Sequence, residues 1–442
     1  MTATSMADQS AVGDALDLAA LRPIHLVIVA VCAVAFALDL GESAFSNVLA
    51  SIISGAPAGR WDTGLLPWFL SSVYIGAIIG APLLGWTADH FGRRIVMSLT
   101  LLVLALSSAG GAISSDLLTM IFARFFSGVA LGAYPALMAA YLTDVLPARN
   151  RGALNMIAVA GGYIGAPATT FLTRALQPID PFGIEGWRVV LGIGALGSIA
   201  AAALFTLLPE SPRWLEAKGR VEQAKAGLLV FAPKAATAQA IAAAPAFRAT
   251  SGVLNAKEYR RRLTLILLLS FLTPWATTTF HSLSGTILIH KGVNVQDSLL
   301  YTGVGNFGPI VGLVLAGLLV SAVPRKWSLA GSASLLIIFG LAFAVASTPI
   351  QMMTSAMAFS LTSSILTPIL VLYSAELFPT HQRAISASWA WSSSRVASAL
   401  VPLVMLPLLK QTGAVPVFVI AGGVLMVFVF VVWTFAPQRS TD

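Results

Sequence analysis

The chain has 442 residues, of which 57% are hydrophobic and 10% charged, whereas soluble domains carry about 25% charged residues, so an ordinary soluble protein is excluded. The net charge of +8 does not indicate a nucleic-acid partner, because the basic residues lie in short segments between long apolar runs, as in membrane proteins. The single cysteine, Cys32, lies within the first apolar run and excludes a disulfide framework or a cysteine metal site.

Residues 1–20 lack a basic start and are predicted to be a disordered tail without a cleavable signal peptide. Twelve apolar runs follow, each near the length of about 20 residues that a helix needs to cross hydrocarbon. The runs are too long and too uniformly apolar for barrel strands, so an all-α polytopic membrane protein with twelve transmembrane helices is predicted. The predicted spans 1 to 12 are residues 25–52, 64–88, 94–114, 117–145, 150–173, 187–208, 263–289, 299–322, 327–347, 349–376, 383–408 and 413–435.

A long hydrophilic segment divides the spans into two sets of six. The predicted domains are a tail (1–24), an N-terminal half (25–208), a central loop (209–262), a C-terminal half (263–435) and a second tail (436–442). Within the loop, residues 221–231 are predicted to form an amphipathic surface helix, and residues 235–246 are a low-complexity alanine stretch.

The basic residues predict the orientation of the chain. With the N-terminus inside, nineteen of the 26 Lys and Arg residues lie on the inner side, which places both termini in the cytoplasm. The five on the outer side are Arg60, Arg174, Arg188, Lys291 and Lys410. Arg124 and Arg395 lie within spans.

The loop between spans 2 and 3, residues 85–94, reads Gly-Trp-Thr-Ala-Asp-His-Phe-Gly-Arg-Arg. Arg93 and Arg94 favour the cytoplasmic side, and Asp89 is suited to accept a charge-assisted hydrogen bond or to lie at a helix N-terminus. Such a loop favours a conformational latch over a catalytic site.

Span 1 carries two carboxylates, Asp39 and Glu42, whose spacing places them on one helix face. From His25, Asp39 lies about 21 Å into a hydrocarbon core of about 30 Å. A carboxylate that alternates between a dry cavity and a nearby cation can bind a proton outside and release it inside. Arg124 on span 4 is the predicted partner of Asp39, with a static buried ion pair as the alternative; Glu42 is equally compatible with a hydrated position at the outer mouth.

Spans 7 and 11 supply further candidates. No acid of the second half lies at the depth of Arg395, so its guanidinium fork suits the carboxylate of a flat substrate, although a structural arginine bonded to carbonyls or serines is the alternative. Pro274 is predicted to break span 7, and His281 is a candidate for hydrogen bonding or titration. For Tyr134 and Tyr163, ordinary packing between helices is favoured over contact with substrate. The predicted substrate contacts are Arg395, Trp391, Trp389, His281, Trp275, Phe280, Tyr134 and Tyr163.

Five segments in order resemble motifs of the major facilitator superfamily: residues 85–94, 124–132, 141–152, 209–215 and 373–383. The resemblance implies the major facilitator fold and a charge network at the inner helix ends that stabilises the outward-open state, with plain topology determinants as the alternative. The members implied are Asp89, Arg93, Arg94, Asp144, Arg151, Glu210, Arg213, Glu376 and Arg383. Residues 323–326 keep the positive charge of the loop motif but lack its acid and glycine, so the latch is predicted to be asymmetric.

The branch resembled contains sugar porters, aromatic-acid:proton symporters and organic-ion transporters. Phe36-Ala-Leu-Asp39 resembles a sugar-porter stretch whose acid pairs with the helix-4 arginine. The spacing of Asp39 and Glu42 also resembles the acidic pair of aromatic-acid symporters, so the resemblance leaves the role of Asp39 open.

Sugar porters carry glutamines on helices 5 and 7, whereas residues 156–161 and 275–283 contain neither Gln nor Asn. The sequence therefore predicts a proton-coupled symporter of a small organic anion, for example an aromatic or heteroaromatic carboxylate, working by alternating access. The alternatives are a proton-coupled exporter of drugs or organic cations, a sugar or polyol:proton symporter, and a transport-inactive receptor. No enzyme activity, cofactor, metal or nucleic-acid partner is predicted, and the chain is expected to act as a monomer in a bacterial inner membrane.

Overall fold

The computed structural model describes residues 11–233 and 255–437, which contain helices and no strands. Twelve of the described helical segments are long and apolar enough to cross a membrane, which confirms the predicted architecture. Their bounds are Pro23–Ser54, Thr63–Phe91, Arg93–Ile113, Leu117–Val145, Ala148–Leu176, Gly186–Leu207, Ala256–His290, Val295–Leu319, Arg325–Val345, Pro349–Glu376, Ile385–Thr412 and Ala414–Phe435, here spans 1 to 12.

Spans 5, 7 and 8 each consist of two successive helices. The pairs are Ala148–Gly162 with Gly165–Leu176, Ala256–Leu272 with Pro274–His290, and Val295–Gly305 with Gly308–Ala322. The break in span 7 falls at Pro274, as predicted, because proline lacks the N–H that would continue the helix and clashes with the preceding turn. Broken spans of this kind can present backbone groups to a cavity inside the bundle.

Glycines allow spans 2 and 4 to pack backbone against backbone. A Cβ atom on Gly128 would overlap the carbonyl oxygen of Val73, and one on Gly76 would overlap that of Phe125. Small residues let membrane helices approach closely enough for extensive van der Waals contact. The glycines that follow Arg124 therefore fix span 4 against span 2 and determine where the arginine points.

We call the side that holds both ends of the described chain the inner side. Hydrogen bonds join the two halves on the opposite, outer side. They link Asn47 to Ser284 and Gly285, Arg174 to Gln296, Thr170 to Asn306, and Thr63 to Lys410. The ion pairs found on the inner side join residues of the same half. The described contacts therefore close the molecule on the outer side.

The prediction of a disordered tail is wrong for residues 11–17, which form the helix Ala11–Asp17. Val12, Ala15 and Leu16 are buried because their spacing gives this short helix one apolar face. Residues 1–10 and 438–442 lie outside the described residues, as do Lys234, Arg248 and the alanine stretch 235–246.

The surface helix of the central loop is confirmed at Val221–Phe231. Span 7 begins at Ala256, seven residues before the predicted start at 263. Asn255 caps this helix by accepting the N–H of Glu258, and Glu258 forms an ion pair with Arg262 one turn later. These local interactions extend the helix beyond the apolar run.

Candidate functional site

Arg124 pairs with Glu42, not with the predicted partner Asp39. Arg124 is completely buried, and its guanidinium also lies over the ring of Phe45, 5.7 Å from the centroid. Glu42 lies almost one helical turn closer to the outer side than Asp39, and at that level span 4 presents the guanidinium. Because both charges are buried, each depends on the other for neutralisation.

Asp39 therefore does not form the predicted ion pair with Arg124. It is 3% exposed and forms no salt bridge with a described residue, but it lies within the electrostatic field of Arg395 on span 11. The sequence reasoning considered acids of the second half only and so treated Arg395 as lacking a counter-ion. In the folded chain the opposing charge comes from the first half, and the two charges attract each other across the junction of the halves without a direct ion pair among the described residues.

The guanidinium of Arg395 lies over the ring of Trp391, 4.2 Å from the centroid, and its Nε is buried without a hydrogen-bond acceptor among the described residues. Trp391 precedes Arg395 by one helical turn and shares its face. Trp389 does not share that face, because residues two apart on a helix point in nearly opposite directions. Its side chain is 55% exposed, and its contact with substrate stays a prediction.

His281 lies in the middle of span 7. Its side chain is exposed. Its Nδ1 lies 2.6 Å from the carbonyl oxygen of Thr277. A carbonyl only accepts, so Nδ1 carries the hydrogen and Nε2 remains available as an acceptor.

Two predicted substrate contacts belong to the packed core instead. The ring of Phe280 stacks on that of Phe359 at 4.3 Å within an aromatic cluster of the second half. Tyr134 is completely buried and donates to the carbonyl of Cys32 at 3.2 Å. Both side chains pack between helices of one half. Trp275 and Tyr163 are half-buried and remain predicted contacts.

A group of hydroxyls near Arg395 was not predicted from the sequence. The hydroxyls of Tyr74 and Ser282 are 2.9 Å apart, and those of Thr278 and Ser398 are 3.1 Å apart. Each pair joins two different spans, and each hydroxyl retains unused hydrogen-bonding capacity. Hydroxyl residues are frequent in these spans, and no sequence signal distinguishes those that face the interior.

On the inner side, the loop between spans 2 and 3 forms part of the predicted network. Arg93 pairs with Asp89 and lies 3.9 Å from Asp144 on span 4. Asp144 also accepts from the hydroxyl of Ser211 at 3.0 Å. Arg94 donates to the carbonyl of Leu208 at 2.8 Å, so both arginines bind the loop to the ends of neighbouring spans.

Glu210 caps the start of span 3. Its Oε1 accepts the N–H of Arg94 at 3.2 Å and that of Ser211 at 2.9 Å. Gly92 has φ of 110°, and a Cβ there would overlap the carboxylate of Glu210, so only glycine fits. Burial raises the pKa of Glu210, while the two backbone donors partly offset this rise.

We expect Glu210→Gln to preserve or raise the melting temperature and Glu210→Ala to destabilise the protein by about 1–3 kcal/mol. Glutamine keeps the acceptor without the cost of a buried charge, whereas alanine leaves two N–H groups unpaired. Because the pKa is raised, the advantage of glutamine should be largest at alkaline pH and disappear in acid. Thermal unfolding across pH measures both effects; equal losses for the two variants would contradict this account.

The rest of the predicted network divides between the halves. In the first half, Arg151 and Arg213 both pair with Asp17 of the N-terminal helix. In the second half, Glu376 pairs with Arg325 at 3.1 Å, within the segment predicted to make the latch asymmetric. Arg383 is exposed, and its guanidinium lies 3.5 Å from the carbonyl oxygen of Phe378.

Residues 26–440, nearly the whole chain, match the family described as sugar (and other) transporter. The chain belongs to this family. Its relatives are membrane transporters, in agreement with the expectation that the chain is not an enzyme.

Two curated relatives and one solved structure illustrate the similarity. The putative metabolite transport protein YyaJ of Bacillus subtilis is 25% identical over 437 residues, covering 96% of this chain and 95% of the relative. The niacin transporter NiaP of Acinetobacter baylyi is 25% identical over 378 residues, covering 84% and 83%. The inward-open xylose transporter XylE of Escherichia coli, 18% identical, superposes with a TM-score of 0.77 over 94% of this chain and 97% of that chain. The chain is thus an integral membrane transporter of small molecules with the major facilitator fold.

Proposed function

We propose that the protein is a symporter that takes up a small organic anion together with protons. The observation that carries this proposal is the juxtaposition of Arg395 and Asp39 across the two halves. The guanidinium offers a buried, unpaired N–H and is backed by the face of Trp391. One relative is named a niacin transporter, and niacin is a heteroaromatic carboxylate. A planar fork of this kind suits a carboxylate ligand.

The same juxtaposition supports a coupling mechanism. An ionised Asp39 neutralises Arg395 and competes with an incoming carboxylate. A protonated Asp39 leaves the guanidinium free, so binding of the proton favours binding of the anion, and the reverse holds by thermodynamic linkage. After the anion leaves on the inner side, Arg395 again favours the ionised form of Asp39, and the proton follows. Rocking of the halves would expose the site to each side in turn.

The distribution of Lys and Arg supports an inner side that is cytoplasmic, in a bacterial inner membrane. The site lies between the two halves of one chain, which supports a monomer as the working unit. Surrounding lipid and the transported solutes are then the only partners that the mechanism requires.

The test is uptake of labelled nicotinate and benzoate into vesicles containing the purified protein. We expect accumulation when the outside is acidic and only equilibration without a pH gradient. Labelled xylose and an organic cation serve as matched comparison solutes. Accumulation of the cation driven by an acidic interior would contradict anion uptake and establish the exporter alternative.

A sugar or polyol:proton symporter is the second candidate. The hydroxyl pairs Tyr74 with Ser282 and Thr278 with Ser398 favour it, because hydroxyls donate to and accept from polyols equally well. The family also includes sugar transporters by its description. Uptake of xylose that benzoate does not inhibit would support this candidate over the anion symporter.

Asn47 is the central contact of the outer closure. Its Nδ2 donates to Ser284 at 3.0 Å, and its Oδ1 accepts the N–H of Gly285 at 3.2 Å. Asn47→Ala should therefore shift the molecule towards the outward-open state by about 1–3 kcal/mol. Distances between spin labels across the outer side measure this shift. Asn294→Ala is the matched control, since Asn294 caps a helix within one half; an equal shift in the control would refute the assignment.

A further inference from the structure

The helix Ala11–Asp17 is docked on the inner face of the N-terminal half. Val12, Ala15 and Leu16 are buried, and the helix packs against Pro212–Ala217, Val221–Phe231 and the start of span 5. A helix of two turns is not stable by itself in water, so these contacts hold it in place. The helix is therefore part of the folded inner face.

Asp17, the last residue of this helix, binds two arginines at once. Arg213 donates to its carboxylate at 2.6 Å, and Arg151 donates to the same oxygen. Arg151 belongs to the start of span 5, and Arg213 follows the end of span 6. A second bond at 3.1 Å runs from Arg213 to the carbonyl of Gly13. One carboxylate from outside the bundle thus links the inner ends of two spans.

The other acids of this region have different contacts. Asp144 accepts from Ser211, and Glu210 caps span 3. In the second half, Glu376 pairs with Arg325. With the outer side closed, Arg151 and Arg213 are therefore neutralised within their own half: both bond Asp17 directly, and Asp144 adds a longer-range attraction.

The segment after the helix is also fixed. Arg22 donates to the carbonyl of Val230 at 2.6 Å, and the ring of His25 stacks on that of Phe231 at 5.6 Å. This segment leads directly into span 1, which carries Asp39 and Glu42. Displacement of the helix would therefore be transmitted to the span that holds both intramembrane acids.

We propose that Asp17 is a gate residue of the transport cycle. It retains Arg151 and Arg213 on the N-terminal half while the inner side is open. Release of Asp17 makes both arginines available to acids of the second half, such as Glu376, and favours closure of the inner side. The N-terminal helix acts as a competitor for the charge network, and its role is independent of which solute the protein carries.

The experiment measures the distance between the halves by double electron–electron resonance in a Cys32→Ser background. Spin labels at Gln223→Cys and Lys257→Cys report the inner side, and labels at Ala58→Cys and Gln411→Cys report the outer side; all four positions are exposed. Asp17→Asn should increase the ratio of inner-closed to inner-open molecules at least about fivefold. The distance between the outer labels should increase in the same molecules. Asp17→Glu, which keeps the carboxylate, should leave the ratio of inner-closed to inner-open molecules unchanged.

Glu222→Gln is the matched control, because it removes an exposed ion pair with Lys225 from the neighbouring surface helix. Arg213→Gln is a second test: it removes one of the two arginines that closure of the inner side would use, so combining it with Asp17→Asn should reduce the shift that Asp17→Asn causes alone. Unchanged distances in Asp17→Asn would overturn the proposal, as would an equal shift with and without Arg213, or a broadening that indicates local unfolding without a new closed population. The measurement needs no substrate, so its outcome is separate from that of the proton–anion proposal.

Discussion

Asp39→Asn should reduce proton-driven accumulation of the substrate at least about tenfold. Exchange of internal for external substrate should continue. Asparagine resembles the protonated carboxyl in charge, so Arg395 stays free to bind the anion in both orientations of the site. Binding and rocking persist, but no proton is carried. Uptake with and without a pH gradient, compared with counterflow in the same vesicles, measures the two activities separately.

Arg395→Lys is the partner variant for this test. It keeps the positive charge facing Asp39 but loses the planar fork and its contact with Trp391. We expect a higher KM for the anion with pH dependence retained. Gradient-driven uptake that is unaffected in Asp39→Asn would remove Asp39 from the coupling mechanism, whatever the result for Arg395.

Arg124→Ala should destabilise the protein by about 3–5 kcal/mol, because it leaves the carboxylate of Glu42 buried without a partner. Glu42→Gln in the same chain should recover much of this loss by removing the orphaned charge. Thermal unfolding of both single variants and the double variant gives the coupling energy.

Asp39→Asn is the control for this cycle, since Asp39 lies on the same span and forms no salt bridge with a described residue. It should change the melting temperature much less than Arg124→Ala. If removal of Arg124 were harmless while removal of Asp39 unfolded the protein, the pairing would be the reverse of that described.

The helical period alone could have separated two of the candidate tryptophans, although both were predicted as substrate contacts. Trp391 precedes Arg395 by four residues and Trp389 by six, so only Trp391 shares its face. The predicted break at Pro274 was also correct, because proline inside a helix lacks the N–H that would continue it, although Pro82 and Pro135 lie inside continuous helices. The shared face of Trp391 and Arg395 depends only on neighbouring residues, whereas the packing of the rest of the chain decides which prolines break a span.

The pairing of charges depended on the fold. Asp39 and Glu42 share a helix face, so either was a reasonable partner for Arg124; the rotation and depth of span 4 against span 1 selected Glu42. Asp17 was missed because a seven-residue helix has little stability of its own and forms only where other helices receive its apolar face.

The sequence by itself determined that this protein crosses a membrane twelve times and belongs among major facilitator transporters. Each polar group placed in lipid costs free energy at its own position, so the membrane-spanning segments can be recognised from the local composition of the chain. Only the tertiary structure decided which buried charges oppose one another, since Coulomb energy depends on separations of a few ångströms between atoms that are far apart in sequence.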